Sequence, residues 1–289
     1  MGAVLIYGLI NSMTLVLIAI GFSLTFGISG VFNMAYGAFY IVGGFLTWYL
    51  LSVIGLPYLV AVLLCVIIVA CIGAVTYWLV LLRVRGMLLS EAIATFGIGI
   101  AILEFLRWRG LIGFGYNLPI FIEGSISIGD NIIDYQRLFI VGIGFVLVFF
   151  LWFFAHHTKV GLSLRAISQM ERTALCFGIE SDRSAMLSLS FGSALAVVAA
   201  ITVLPLTTTH IDLGYDALVQ AIVVTIVGGA GSTLGIIIAS FVLGYSQTLV
   251  SMYVASHWAM IVSLIAVVLV LAVRPSGLFG KSKELEERV

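Results

Sequence analysis

Charged residues are scarce in this 289-residue chain, and their scarcity excludes several classes of protein. Lys, Arg, Asp and Glu together make up 9% of the residues, and the formal net charge is zero. A soluble globular domain carries about 25% charged residues, and a nucleic-acid-binding domain needs a basic surface. The composition therefore predicts neither a sizeable soluble domain nor a nucleic-acid partner.

Motifs that would support catalysis are also missing from the sequence. The cysteines Cys65, Cys71 and Cys176 lack the spacing of a metal site. His156 and His157 are adjacent, so they point in different directions on a helix, and no third ligand stands nearby. The nucleotide-binding sequence Gly-x-x-x-x-Gly-Lys-Ser/Thr does not occur. We predict a chain that is not an enzyme by itself, with no catalytic residue, metal or cofactor.

Long apolar runs are present instead, since 62% of the residues are hydrophobic. About 20 apolar residues in helical form cross the ~30 Å hydrocarbon core of a bilayer. We predict an all-α polytopic membrane protein with about eight full transmembrane helices. The predicted spans are residues 3–26, 31–54, 58–82, 87–106, 138–155, 185–204, 234–254 and 258–273. A ninth apolar run, residues 219–227, is short, and the sequence leaves open whether it crosses the membrane or re-enters it.

Glycine-rich breaks interrupt the apolar runs in both halves of the chain, first at residues 27–30 and again at residues 228–232. Paired breaks of this kind are typical of discontinuous helices that line a transport pathway, because unpaired backbone groups are tolerated only beside a cavity or other protein. The candidate pathway residues are Asn33, Tyr36, Gly27, Gly30, Gln220, Thr225, Gly228, Gly229 and Ser232. The alternative is that the glycines permit close helix packing and that Asn33 and Tyr36 form interhelical hydrogen bonds.

Residues 158–183 form a polar interruption between two predicted spans. Its apolar residues recur at the spacing of one helix face: Ile167, Met170, Ala174 and Phe177. The opposite side is polar: Arg165, Ser168, Gln169 and Arg172. Gly161 opens this helix and Gly178 is placed to end it, as a C-terminal glycine does. Such a helix suits a membrane surface or a protein partner rather than a span.

Two features outside the spans complete the sequence prediction. Residues 125–133 alternate around a turn at residues 129–131, which predicts a small hairpin outside the membrane. Ten basic residues fall on the side of the polar interruption and three on the other side, so the positive-inside rule places that interruption in the cytoplasm. The N-terminus is then outside and the C-terminus inside.

Four stretches together resemble one family. The polar interruption carries Gly161, Arg165, Ala166, Glu171, Ala174 and Gly178, and the other stretches are residues 24–44, 222–244 and 274–280. This combination is similar to the branched-chain amino acid permease family of ABC importers, over nearly the whole chain. The resemblance implies one permease domain over residues 1–289, with N-terminal spans in 1–155, a coupling segment in 158–183, C-terminal spans in 184–275 and a cytoplasmic tail in 276–289.

The resemblance also implies a function and its partners. The expected function is a pathway for branched-chain or hydrophobic amino acids, or for a related small solute such as urea, an amide or an organic acid. The expected partners are a second related permease, two cytoplasmic ATPase subunits and an external or periplasmic substrate-binding protein, at a bacterial-type inner membrane. Coupling to the ATPase would use Gly161, Arg165, Ala166, Glu171, Arg172, Ala174 and Gly178.

One residue departs from the family pattern, and other functions stay open. Tyr36 stands where many members carry a histidine, which leaves the substrate open. A stand-alone secondary carrier or facilitative channel is the main alternative, although ionisable residues at the centre of a span, common in such carriers, are scarce here. A membrane scaffold or membrane enzyme is the third hypothesis.

Overall fold

The computed structural model of this protein describes residues 2–28, 30–108, 116–122, 124–128, 131–169 and 171–280. Most of these residues are helical. The α-helices are α1 Gly2–Ser23, α2 Tyr36–Ser52, α3 Tyr58–Thr76, α4 Leu82–Val84, α5 Leu88–Leu106, α6 Tyr135–His157, α7 Lys159–Gln169, α8 Glu171–Cys176, α9 Ser181–Val203, α10 Leu213–Gly228, α11 Thr233–Tyr253 and α12 Trp258–Val273. The all-α polytopic class is thereby confirmed.

Three helices continue through tighter or wider turns. A π-helical turn, Leu24–Ile28, extends α1, and a second one, Tyr77–Leu81, joins α3 to α4. A 3-10 turn, Leu204–Leu206, follows α9. We call Leu24–Ile28 the α1 π-turn below. π-turns within helices often lie at functional sites.

The predicted count of eight full spans is not confirmed. Six helical stretches among the described residues are long and apolar enough to cross a membrane: Gly2–Gly27, Tyr58–Val84, Leu89–Leu106, Tyr135–His157, Ser181–Leu206 and Thr233–Tyr253. The helices α2, α10 and α12 are shorter, with 17, 16 and 16 residues. At 1.5 Å per residue, none of these three covers ~30 Å.

Helix α2 begins five residues later than its apolar run because a turn precedes it. The side-chain oxygen of Asn33 accepts a hydrogen bond from the Ala35 amide (3.1 Å), which holds that turn. The Tyr36 hydroxyl then donates to the Ile18 carbonyl (2.7 Å), in the last third of α1. The chain therefore leaves the end of α1, turns back and starts α2 inside the bundle.

The short run predicted at residues 219–227 belongs to the longer helix α10. Helix α9 runs antiparallel to α1, since Ser188 bonds the Leu24 carbonyl just after α1 (2.8 Å) and Gly192, one turn further along α9, lies against Gly21. Gly244, in the second half of α11, lies against Ser12 in the first half of α1. The end of α9 and the start of α11 are thus at opposite ends of the bundle. Together with residues 207–212, α10 leads from one end to the other.

Helix packing in the second half of the chain mirrors that in the first half. Helix α11 packs along α1, and α3 packs along α9; α10 packs on α1, and α2 packs on α9. Because α1 and α9 are antiparallel, the two halves are inverted relative to each other, as in many transporters. The glycine breaks noticed in the sequence are not equivalent in this arrangement, since the first follows α1 and the second follows α10.

The predicted hairpin is confirmed. Strands β1 Ser125–Ile128 and β2 Asn131–Asp134 pair antiparallel, with Ile126 opposite Ile133. The turn residues 129 and 130 lie outside the described residues. The Tyr7 hydroxyl donates to the Ile132 carbonyl (3.2 Å), so the hairpin is attached beside the first turns of α1.

Candidate functional site

The first turns of α2 and α10 meet inside the bundle at Gly37 and Gly214. A methyl group on Gly37 would overlap the Gly214 carbonyl oxygen, and one on Gly214 would lie 2.8 Å from the Gly37 oxygen. Only glycine permits this backbone approach. The positive ends of both helix dipoles therefore come together, an arrangement that favours negative charge.

A narrow cleft of about 10 Å³, room for about one water molecule, lies beside this meeting point. Its walls come from α2, α5 and α10 and are mostly apolar, and the Tyr215 side chain contributes a hydroxyl-bearing ring. The apolar wall residues include Met34, Phe96, Ile100, Leu103 and Leu218. Apolar walls of this kind suit an aliphatic group once the three helices separate enough to widen the cleft.

Tyr215, which lines the cleft, is also the first residue of a half-buried stripe on α10. Tyr215, Val219, Ile222 and Ile226 are all half-buried and follow the spacing of one helix face. Sequence inspection missed this stripe because an apolar residue inside a span has no distinguishing mark. The stripe can be recognised only in the structure, where the neighbouring helices leave one face of α10 partly uncovered.

Asn33 and Tyr36, both predicted to line a pathway, are completely buried and hold the start of α2. The Tyr36 ring packs edge-to-face on Phe22, and its hydroxyl is bonded to α1. The side-chain nitrogen of Asn33 has no hydrogen-bond partner among the described residues. Neither residue lies in the lining of the cleft, so both act on it through the position of α2.

Thr95 is a buried residue on α5 that fixes the turn before α2. Its oxygen accepts from the Met34 amide (3.0 Å), and its one hydroxyl proton is shared between the Phe32 carbonyl (3.1 Å) and the Glu91 carbonyl of its own helix (2.8 Å). The sequence around Thr95 partly repeats the pattern of the first glycine break. Helix α5 is nevertheless continuous there, and the threonine connects two helices instead.

The two glycine breaks lie directly against each other. A methyl group on Gly27 would overlap the Gly231 nitrogen, and one on Gly231 would lie 2.8 Å from the Gly27 oxygen. Gly30 has a φ of 72° and open space around it. Gly27 therefore serves backbone packing, while Gly30 permits the left-handed turn.

The remaining pathway candidates around the second break pack at the end of α10. A methyl group on Gly228 would lie 2.7 Å from the Gly235 oxygen, and Gly229 has a φ of 97°. Ser232 accepts a hydrogen bond from the Gly235 amide (3.1 Å) and caps α11. Thr225 is fully buried, and its hydroxyl has no partner among the described residues.

Gln220 lies apart from the cleft, in a polar network that joins four helices. Its side-chain oxygen accepts from Gln247 of α11 (3.1 Å). Gln247 also donates to Ser263 of α12 (2.5 Å) and accepts from Asn11 of α1 (2.9 Å). Such amide pairs join helices in a membrane, so Gln220 is a bridge between α10, α11 and α12.

The predicted coupling segment folds as α7 and α8, with Met170 outside the described residues. A methyl group on Gly161 would overlap the Phe154 carbonyl oxygen, so only glycine allows α7 to fold back on α6. Gly178 follows α8 with a φ of 77°, as predicted for a helix-ending glycine. The side chains of Glu171 and Arg172 lie outside the description.

The apolar face predicted for this segment is divided in the structure. Ile167 and Ala174 are buried, whereas Phe177 is 82% exposed. Arg165 and Ala166 are half-buried. The segment thus packs one apolar set into the bundle and presents Phe177 outward. Helix α7 also contacts the α1 π-turn, so the segment lies at the same end of the bundle as the two glycine breaks.

An ion pair joins the end of this segment to the first half of the chain. Arg85 follows α4 and pairs with Asp182 in the first turn of α9. Arg85 also donates to Ser181 (2.5 Å) and to the Tyr77 hydroxyl (2.8 Å), which belongs to the second π-helical turn. We call these four residues the Arg85 clamp.

Exchanging the charges of the Arg85 clamp tests whether the pair stabilises the fold. Arg85→Asp and Asp182→Arg alone each place like charges together and are expected to lower stability by about 1 kcal/mol. The double exchange restores opposite charges and is expected to recover at least half of the loss. Thermal unfolding of the purified variants in detergent measures this. If the double variant shows the sum of the single losses, the pair has no direct stabilising role.

The helix arrangement, together with the apolar spans, defines a polytopic α-helical membrane protein with inverted halves. Residues 4–271 match the family described as branched-chain amino acid transport system / permease component. The chain therefore belongs to this family of transport permeases.

Individual relatives agree with this assignment. The chain is 25% identical to the high-affinity branched-chain amino acid transport system permease protein BraD of Pseudomonas aeruginosa, covering 96% of this chain and 95% of that protein. It is 29% identical to the probable branched-chain amino acid transport permease protein LivH of Methanocaldococcus jannaschii, covering 94% and 90%. A solved structure, PsaBC from Streptococcus pneumoniae in complex with Fab, shares the fold, with a TM-score of 0.51, 13% identity and coverage of 94% and 92%.

Proposed function

We propose that this chain is the membrane-spanning permease subunit of a binding-protein-dependent ABC importer for branched-chain or other hydrophobic amino acids, or a related small solute. The observation that carries the proposal is the outward-pointing Phe177 on a segment that also contacts the α1 π-turn. A segment tied to the bundle on one side and exposing an aromatic on the other is suited to receive force from a partner. ATP hydrolysis takes place on that partner.

The substrate proposal rests on the cleft beside Gly37 and Gly214. When α2, α5 and α10 separate and widen this cleft, its apolar walls contact an aliphatic side chain, and the first turns of α2 and α10 favour a carboxylate. An amino acid with a branched apolar side chain carries both groups. The substrate leaves the cleft along the α10 stripe that begins at Tyr215. Weak binding there suits a pathway that must release its cargo.

The proposed assembly extends the domain and orientation expected from the sequence. The whole chain, residues 1–289, is one permease domain in a bacterial-type inner membrane, with the N-terminus outside and α7 and α8 in the cytoplasm. A second related permease completes the pathway. Two ATPase subunits bind the cytoplasmic segments, and an external or periplasmic binding protein delivers the substrate.

Co-purification tests the proposal directly. The tagged chain is purified in mild detergent from its native membrane, and every co-purifying protein is identified. We expect an ATPase and a second permease, with the ATPase lost in Arg165→Glu because this half-buried charge belongs to the coupling segment. Recovery of the chain alone, with ATP-independent substrate flux in liposomes, would establish a carrier or channel instead.

A further inference from the structure

Residues 274–280, which follow α12, fold back onto the C-terminal end of α10, which is its inner end in the proposed orientation. The Leu278 amide donates to the Val227 carbonyl (2.9 Å), and the Phe279 amide donates to the Gly228 carbonyl (3.1 Å). These two carbonyls are among the last four of α10, so no amide of the same helix donates a hydrogen bond to them. The C-terminal segment therefore completes the hydrogen bonding of the α10 end.

Close backbone contacts hold this segment in place. A methyl group on Gly277 would lie 2.5 Å from the Ile226 oxygen, and one on Gly229 would overlap the Gly280 nitrogen. The Leu278 side chain packs on the apolar cluster formed by α1, α10, α11 and α12. The Arg274 side chain donates to the Leu278 carbonyl (2.8 Å) and closes the segment on itself.

The loop between α10 and α11 is consequently held from two sides. Gly229 meets the C-terminal segment, and Gly231 meets Gly27 in the α1 π-turn. Both loop glycines have positive φ, at 97° and 83°, a conformation in which glycine also serves as a hinge. Helix α7 of the coupling segment contacts the same π-turn. A continuous series of contacts thus runs from α7 to the C-terminal segment through the end of α10.

We propose that residues 277–280 are a releasable latch on the inner end of α10, and that substrate leaves the pathway only when this latch separates from Val227 and Gly228. The proposal rests on the proposed transport function and adds the element that controls exit. Besides the close glycine contacts, two backbone hydrogen bonds and one apolar side chain hold the latch, and Phe279 is 48% exposed. A segment this short opens at a lower free energy than the helices around it. Movement of α7 reaches it through Gly27 and Gly231.

A reversible cross-link tests whether the latch must open. Cysteines replace Val227 and Leu278, which are joined by a backbone hydrogen bond and whose side chains belong to the same apolar cluster, the geometry that a disulfide needs. The three native cysteines are changed to serine. We expect oxidation to lower transport at least tenfold and a reductant to restore it. Unchanged transport in the fully cross-linked protein would show that the segment is a static cap and would overturn the proposal.

Two truncations provide a second test that does not depend on cross-linking. Ending the chain after Pro275 removes the latch, whereas ending it after Gly280 retains it and is the matched control. We expect the first truncation alone to speed amide hydrogen exchange in residues 225–232 at least tenfold. Equal exchange in both truncations would contradict the proposal.

These measurements separate the latch from the proposed importer function. Hydrogen exchange needs only the purified chain. If no ATPase co-purifies and the chain transports substrate by itself, the cross-link is applied to ATP-independent flux in liposomes. Arrest of that flux would support the latch although the importer assignment had failed. Free flux through the cross-linked chain would reject the latch in either case.

Discussion

Replacing Gly37 with alanine is expected to destabilise the protein by about 3 kcal/mol, the upper part of the range for overpacking, and to reduce transport at least tenfold. The added methyl group would overlap the carbonyl oxygen of Gly214. Backbone atoms on both sides leave no side chain that could rotate away, so α2 and α10 must separate. Their separation changes the cleft directly. Thermal unfolding in detergent and uptake in membrane vesicles measure the two effects.

Gly97→Ala is the matched control for this substitution. Gly97 lies in α5, a wall helix of the same cleft, and no other group lies within 4 Å of where its methyl would stand. Alanine is the better helix former by up to about 1 kcal/mol, so stability should be unchanged or raised. A Gly37→Ala variant as stable as Gly97→Ala would show that α2 and α10 do not depend on this contact.

Phe177→Ala is expected to weaken binding of the proposed ATPase by about 2 kcal/mol, roughly 30-fold, while leaving the fold of the chain intact. Exposed aromatic residues that insert into a partner commonly contribute this much. Phe177 is 82% exposed and follows α8 directly before Gly178, so its removal costs little within the chain. Recovery of the ATPase on the tagged permease and substrate-stimulated ATP hydrolysis are the measurements.

Phe149→Ala controls for the loss of an exposed aromatic as such. Phe149 lies on the membrane-spanning helix α6 and is 67% exposed, so it contacts lipid in the proposed arrangement. It should leave ATPase recovery unchanged. If Phe177→Ala also retains the ATPase, Phe177 is not part of the docking surface. The Arg165→Glu variant would then show whether another part of the segment binds the ATPase.

Local features were predictable from the sequence because they depend on neighbouring residues. Helix α12 has the predicted bounds, residues 258–273, since an apolar run between polar ends determines where a helix begins and ends. The hairpin of β1 and β2 follows from alternation around a turn. Gly178 ends α8 as expected because a positive φ favours glycine.

Functional placement was less predictable, as Tyr36 and Phe177 illustrate. Tyr36 stands beside a break and was a pathway candidate, yet its hydroxyl is bonded to Ile18 within the bundle. Phe177 was placed on one apolar face with Ile167, and only Ile167 is buried. Side-chain direction at these positions depends on helices far away in the chain, which hydropathy does not encode.

The sequence by itself determined the membrane-protein class, most helix positions and, through its family motifs, the family to which the chain belongs. Only the tertiary structure decided which glycines meet: Gly37 with Gly214, Gly27 with Gly231 and Gly229 with Gly280. Each pair joins segments distant in sequence. A glycine looks the same in sequence whether it adjoins lipid, a cavity or another backbone, so its role follows from the packing of the whole bundle.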